Sequence, residues 1–295
     1  MILMPRSDDT IDLQAGLKVE GRYVLGKKLS SGGMGCVYEA LHHWLGLTVA
    51  IKVLPRSALE NPELLGRFLR EGRILARLRH DHVVQVFDAG QLPAGPPFLV
   101  MERLHGQTLS DRLLAAGPLQ IAEASRIAAQ VASALAACHK LGIVHRDVKP
   151  SNLFLVHNTP QPLIKVLDFG IAKVPLSSAD GGTLTDPEGV PFGTPAYMSP
   201  EHIRAWRTVD ARSDIWSLGA VLFEMLTLEK PFGFAKTSIV AESILTRALP
   251  SLSDLRSDVP PELIAIVERC MQKDRAARFD SADALVSALK PFVIN

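Results

Sequence analysis

The sequence predicts an α+β chain in two lobes: a small N-terminal antiparallel sheet with one main helix, then a larger, mainly helical lobe. Three observations carry this reading. Strand-like stretches crowd the first third, from Tyr23 and at 36–40, 49–54, 83–88 and 98–101, with one amphipathic helical pattern among them. From residue 109 the period turns helical, at 109–115, 121–141, 213–226, 238–248, 261–271 and 281–291. The length, 295 residues, exceeds what one hydrophobic core usually serves.

Composition narrows the function classes. At 47% apolar and 21% charged residues the chain is ordinary globular protein. A formal net charge of +1 provides no global field to recruit nucleic acid or an anionic membrane. No run of 18 apolar residues appears, and the N-terminus lacks a charged-then-apolar signal, so no membrane segment is expected in this chain. Cys36, Cys138 and Cys270 are far apart and form no CxxC spacing, which argues against a metal site and fits a cytoplasmic location. Oligomerisation has no support in the sequence.

In chain order, residues 1–20 show no sustained period and carry Pro5, Asp8, Asp9 and Asp12, which reads as a flexible tail. The run Leu29-Ser30-Ser31-Gly32-Gly33-Met34-Gly35-Cys36-Val37 lies between strand-like stretches, not before a helix. Strand, glycine turn, strand describes a flap whose backbone N–H groups can approach phosphates without Cβ clashes. In the next strand Ala50 and Lys52 share a face. Ala50 leaves room for a flat ring, and Lys52 can reach phosphate oxygens. The helix over about 62–78 places Phe68, Glu71, Leu75 and Leu78 on one stripe. Glu71 then faces inward, where a carboxylate needs a partner, and Lys52 is the natural one. A Pro/Gly turn over 92–97 joins the next two strands. The long helix over 121–141 is rich in alanine, as suits burial in a helical lobe. Asp214 opens the apolar helix over 213–226 and is a candidate N-cap.

The densest chemistry is His145-Arg146-Asp147-Val148-Lys149-Pro150-Ser151-Asn152, with Asp168-Phe169-Gly170 following the apolar strand 163–167. On these residues the sequence resembles the eukaryotic-like, Hanks-type serine/threonine protein kinases. The Gly-Gly-Met-Gly wording of the flap is similar to the bacterial branch. The resemblance implies the bilobal kinase fold over about 21–292, with residues 21–103 as the first lobe and 104–292 as the second.

It also implies ATP, with Mg²⁺ or Mn²⁺, as cofactors and proteins as substrates. By resemblance Asp147 is the catalytic base, Lys149 neutralises the γ-phosphate, and Lys52 covers the α and β phosphates while paired with Glu71. Asn152 and Asp168 are the metal ligands, hard oxygen donors of the kind Mg²⁺ prefers. The flap residues Leu29 to Gly35, with Val37, Ala50, Met101, Glu102, Leu104 and Phe154, form the ATP pocket. Met101 is the gatekeeper of the interlobe hinge. The family's first flap glycine is replaced by Ser30. His145, Phe169, Asp214 and the Glu201–Arg278 pair take structural roles, and Ser199 departs from the family's Ala-Pro-Glu.

The stretch 168–201 is too long and aperiodic to be a single regular element. By resemblance it is an activation segment, with Thr183, Thr185 and Thr194 as its threonines of interest. Arg146 would await a phosphate there, with Thr185 as first choice and Thr183 as second. Two other classes compete: a nucleotide-binding scaffold without turnover, and a small-molecule phosphotransferase of similar fold. The second generally lacks segments such as Gly193-Thr194-Pro195 and Ser199-Pro200-Glu201.

Overall fold

The structure, a computed structural model, describes residues 12–32, 35–56, 62–92, 95–157, 159, 161–168, 195–205, 208–233 and 236–293; within the first helix the side chains at 62–64, 67 and 71 lie outside that description. The described residues divide into two compact units, 12–80 with 84–105, and 81–83 with 106–168 and 195–293. The break follows His105, against the expected 103.

The first unit is one antiparallel sheet of six strands: β1 (Lys18–Val19), β2 (Tyr23–Gly32), β3 (Gly35–His42), β4 (Leu47–Val53), β5 (Val86–Gln91) and β6 (Pro97–Glu102), in the order β1-β2-β3-β4-β6-β5. Alternation sends Tyr23, Leu25, Tyr38, Ala40, Val49, Ile51, Phe98 and Val100 into one core. The β2–β3 turn needs glycine at Gly35. Its φ is +104°, and a Cβ there would collide with the Val53 carbonyl. Helix α1 (Pro62–Arg77) buries Phe68 and Leu75, each about 1.5–3 kcal/mol of burial.

Two expectations change here. Residues 12–20 are not a loose tail. Gly16 donates to the Leu25 carbonyl (2.7 Å), Leu25 donates back to Leu17 (2.9 Å), and β1 pairs with β2. The Leu13 N–H reaches the Tyr38 hydroxyl (3.0 Å), and Asp12 meets Lys28 Nζ at 2.5 Å. The apolar signal, Leu13, Leu17 and Val19, is too short to show a period. The strand expected from Val83 starts instead at Val86, because Val83 forms an isolated parallel bridge with Val166 in the second unit.

The second unit holds a three-stranded sheet of β7 (Gly106–Thr108), β8 (Leu153–Val156) and β9 (Leu163–Val166). Its helices are α2 (Leu109–Ala116), α3 (Ile121–His139), α4 (Pro200–Arg204), α5 (Ala211–Thr227), α6 (Thr237–Thr246), α7 (Leu252–Leu255), α8 (Pro261–Cys270) and α9 (Ala282–Leu289). A capping box starts α2: Asp111 N donates to Thr108 Oγ1 (3.1 Å) and Thr108 N to Asp111 Oδ2 (3.3 Å). Helix α5 is the apolar axis of the unit, with Ile215, Trp216, Ala220, Val221 and Phe223 fully buried. A side chain at Gly219 would meet Cys270 Cβ at 2.6 Å, so glycine permits the close approach of α8. No helix among the described residues is long and apolar enough to cross a membrane.

Candidate active site

In the first unit the flap, the lysine strand and the hinge stretch lie on adjacent strands. Pairing runs Val37↔Lys52↔Leu99 and Ala50↔Met101, so Val37 and Lys52 stand side by side on one face. Lys52 is 7% exposed. Ser30 pairs with Val37 in β2, is exposed, and is not among the residues with positive φ. Glu102 is fixed by Gln85, whose N–H donates to Glu102 Oε1 (2.8 Å). Arg103 Nε donates to Glu39 Oε2 (3.0 Å), and its guanidinium also donates to the Leu104 carbonyl. Gly33, Met34, Phe169, Thr183, Thr185 and Thr194 lie outside the described residues, as does the Glu71 side chain and hence its pairing with Lys52.

In the second unit, the loop after α3 gathers its polar residues around Asp147. Lys149 Nζ lies 3.0 Å from Asp147 Oδ2, and Asn152 Nδ2 donates to the same oxygen (2.9 Å) and to the Asp147 carbonyl (2.8 Å). A 3-10 turn over Pro150–Asn152 sets this spacing and leads directly into β8 and half-buried Phe154. His145 is fully buried. Its Nδ1 accepts from Asp147 N (3.2 Å), so Nε2–H donates to the Leu167 carbonyl (2.8 Å). Burial pushes its pKa down, in keeping with a neutral ring. One residue beyond Leu167, Asp168 has φ of +44°, and Arg146 has φ of +64°. Both are strained conformations for non-glycine residues, and they bracket this loop.

Asp214 holds the loop from below. Its Oδ2 accepts from His145 N and its Oδ1 from Arg146 N, both at 2.8 Å. Burial alone would raise its pKa, but the hydrogen bond and charge of His139 and the His145 N–H outweigh it and hold the carboxyl below its ordinary value. Asp214 is not the helix cap. Asp210 caps α5, accepting from Arg212 N (2.9 Å), and Asp214 sits one turn inside.

Glu201 and Arg278 form a two-pronged pair, Nη1–Oε1 2.7 Å and Nη2–Oε2 2.8 Å, with Ser213 Oγ also donating to Oε1 (2.6 Å). Burial opposes the charge, but Arg278 and Ser213 bring the Glu201 pKa to about 2. Ser199, where the motif has alanine, caps α4 by accepting from His202 N (3.3 Å).

The protein kinase domain model matches residues 23–289. This chain belongs to the protein kinase family. Its relatives place it in the bacterial Hanks-type serine/threonine branch. A serine/threonine-protein kinase PknB of Mycolicibacterium smegmatis is 40% identical over 265 residues, covering 88% of this chain and 41% of the relative. The serine/threonine-protein kinase pkn3 of Myxococcus xanthus is 36% identical, covering 97% and 52%. The chain thus spans about two-fifths to half the length of these relatives. The crystal structure of the Mycobacterium tuberculosis PknI kinase domain superposes with a TM-score of 0.74 at 26% identity, covering 95% of this chain and 100% of that one.

Protein kinases use ATP with a divalent metal, and the second unit's donors fit such an ion. Both amide hydrogens of Asn152 go to Asp147, which fixes the orientation of the amide and turns Oδ1 to acceptor duty elsewhere. Asp168 adds a carboxylate at the end of β9. These are hard oxygens of the sort Mg²⁺ and Mn²⁺ take. Sequence reasoning missed His139, the last residue of α3, whose Nε2 lies 2.7 Å from Asp214 Oδ2. It lies six positions before His145, and no spacing rule joins a helix end to a carboxylate on α5.

Proposed function

We propose that this kinase chain transfers the γ-phosphoryl group of ATP to Ser or Thr hydroxyls of bacterial protein substrates in signal transduction, acting in the cytoplasm as a single catalytic domain of about 21–292. The reading rests on one observation above the others: a buried aspartate, Asp147, joined to Lys149 and Asn152 through a single carboxylate oxygen. Phosphoryl transfer asks for positioning and charge neutralisation more than covalent help.

Asp147 accepts the proton of the incoming hydroxyl as that oxygen bonds to the γ-phosphorus. The bond from phosphorus to the β-bridging oxygen breaks, and ADP leaves. Lys149 neutralises the transferring group, and Lys52, paired with Glu71, neutralises the α and β phosphates. Asn152 and Asp168 hold Mg²⁺, or Mn²⁺ in its place, which supplies charge neutralisation at the phosphates. The flap 29–35, Val37, Ala50, Met101, the backbone of Glu102 and Leu104, and Phe154 bind the nucleotide. His145 and Asp214 support the loop, and Phe169 and the Glu201–Arg278 pair take structural roles.

Arg146 Nε is buried without a hydrogen-bond partner among the described residues, which supports a role in receiving phosphate on the segment carrying Thr183, Thr185 and Thr194. Thr185 is the first choice for autophosphorylation. Radiolabelled ATP with a generic basic protein tests the activity: label should enter Ser and Thr with the native chain and not with Asp147→Asn. Label-free protein from the native chain would overturn the reading. Peptide mapping of the purified native chain tests Thr185.

A further inference from the structure

The outer face of α1 carries a line of arginines that nothing in the kinase reading uses. At about 100° per residue, Arg70, Arg73 and Arg77 fall within about 60° of one another, on the side opposite Phe68 and Leu75. All three are exposed, as is Arg79 just past the helix end. None of the four has a hydrogen bond or carboxylate partner among the described residues. By contrast, Arg212 lies 2.6 Å from Asp280, and Arg278 grips Glu201.

We infer that this face is a docking surface for an acidic segment of a protein substrate. Residues 62–80 contain five arginines and two glutamates, a net +3, whereas the whole chain is +1, so the remainder is net −2. The positive charge is therefore local. It extends about 10 Å along one helix, the reach of a few consecutive acidic residues. Guanidinium forks take carboxylates two-pronged, and a lone short segment meets all three at once. A duplex or an anionic bilayer presents a far wider sheet of charge, which would also face the acidic remainder of the chain. The inference rests on the kinase reading only for the word substrate; the surface itself is read by binding.

Two measurements test it. Fluorescence anisotropy follows a labelled Ser/Thr peptide ending in about eight glutamates, against the same peptide with a glutamine tail, on the native chain and on the triple variants Arg70→Gln/Arg73→Gln/Arg77→Gln and Arg70→Glu/Arg73→Glu/Arg77→Glu. The glutamate tail should tighten binding about tenfold at low salt. That gain should vanish in both variants and fall steeply as salt rises from about 0.05 to about 0.5 M. In parallel, turnover of the glutamate-tailed peptide should show a KM lowered by a similar factor, while kcat and the KM of the glutamine-tailed peptide stay as in the native chain. Equal binding of the two tails, a tail effect that survives in both variants, or tighter binding of single-stranded DNA or phosphatidylglycerol vesicles would overturn the inference. Loss of turnover with tail binding intact would count against the kinase reading alone.

Discussion

His139 Nε2 lies 2.7 Å from Asp214 Oδ2, and the same carboxylate carries the backbone N–H groups of His145 and Arg146. A side chain at the end of α3 thus bears on the loop that presents Asp147. Removing it leaves a fully buried carboxylate with one donor fewer, a loss worth about 1–3 kcal/mol. His139→Ala should lower kcat several-fold with the KM for ATP nearly unchanged, and His139→Gln, which keeps a donor, should recover much of it. Steady-state kinetics on both variants check this, with the two melting temperatures measured alongside.

Asp147→Asn removes the proton acceptor but keeps a side chain of the same shape for Lys149 and Asn152 to surround. Turnover should fall by at least about a hundredfold, while ATP binding measured by calorimetry stays within a few-fold of the native value. Near-native turnover would remove Asp147 from the mechanism.

Ser30 stands in the flap where glycine is usual, yet its φ is not in the positive region. Glycine there relieves no strain, so Ser30→Gly should shift the KM for ATP by only about twofold to threefold. A tenfold loss of affinity would point instead to a contact between the Ser30 hydroxyl and the nucleotide.

The Glu201–Arg278 pair sets an acid limit on stability. The folded Glu201 pKa is about 2 against an ordinary 4.5. Between those values the unfolded chain binds more protons than the folded one. The stabilisation, on the order of 3 kcal/mol, is complete above about pH 4.5 and lost as pH falls toward 2. His145, held neutral by burial, adds a loss that begins below its ordinary 6.5, because only the unfolded ring charges readily there. Denaturant titrations across this range should show stability falling with acid. The part due to Glu201 should be absent in Arg278→Ala, which itself should cost about 3–5 kcal/mol at neutral pH by stranding the carboxylate.

Much of this architecture could be read from residue order. Alternation in Val49–Val53 located β4, and the 3-4-3 spacing of Phe68, Glu71, Leu75 and Leu78 located α1, which buries Phe68 and Leu75. The loop around Asp147 declared itself through residue types that chemistry groups together. What stayed hidden depended on distance along the chain. Leu153–Val156 is only four residues and pairs with Gly106–Thr108, which carry no strand signal of their own. Asp210 and not Asp214 caps α5, a difference of one helical turn that side-chain chemistry cannot resolve. The His139–Asp214 contact spans 75 positions.

Residues 12–19 reach Tyr38, Lys28 and the Leu25 backbone, all strands of the first unit. The unit that melts together therefore begins upstream of residue 23, where the match to the protein kinase domain starts. Trimming the chain to Tyr23 would keep every residue with a catalytic assignment and still strip the cover from Leu25 and Tyr38. A shortened chain of that kind should melt several degrees lower and expose the amides of β2 to exchange with solvent. Those amides would then offer an open strand edge through which copies could aggregate.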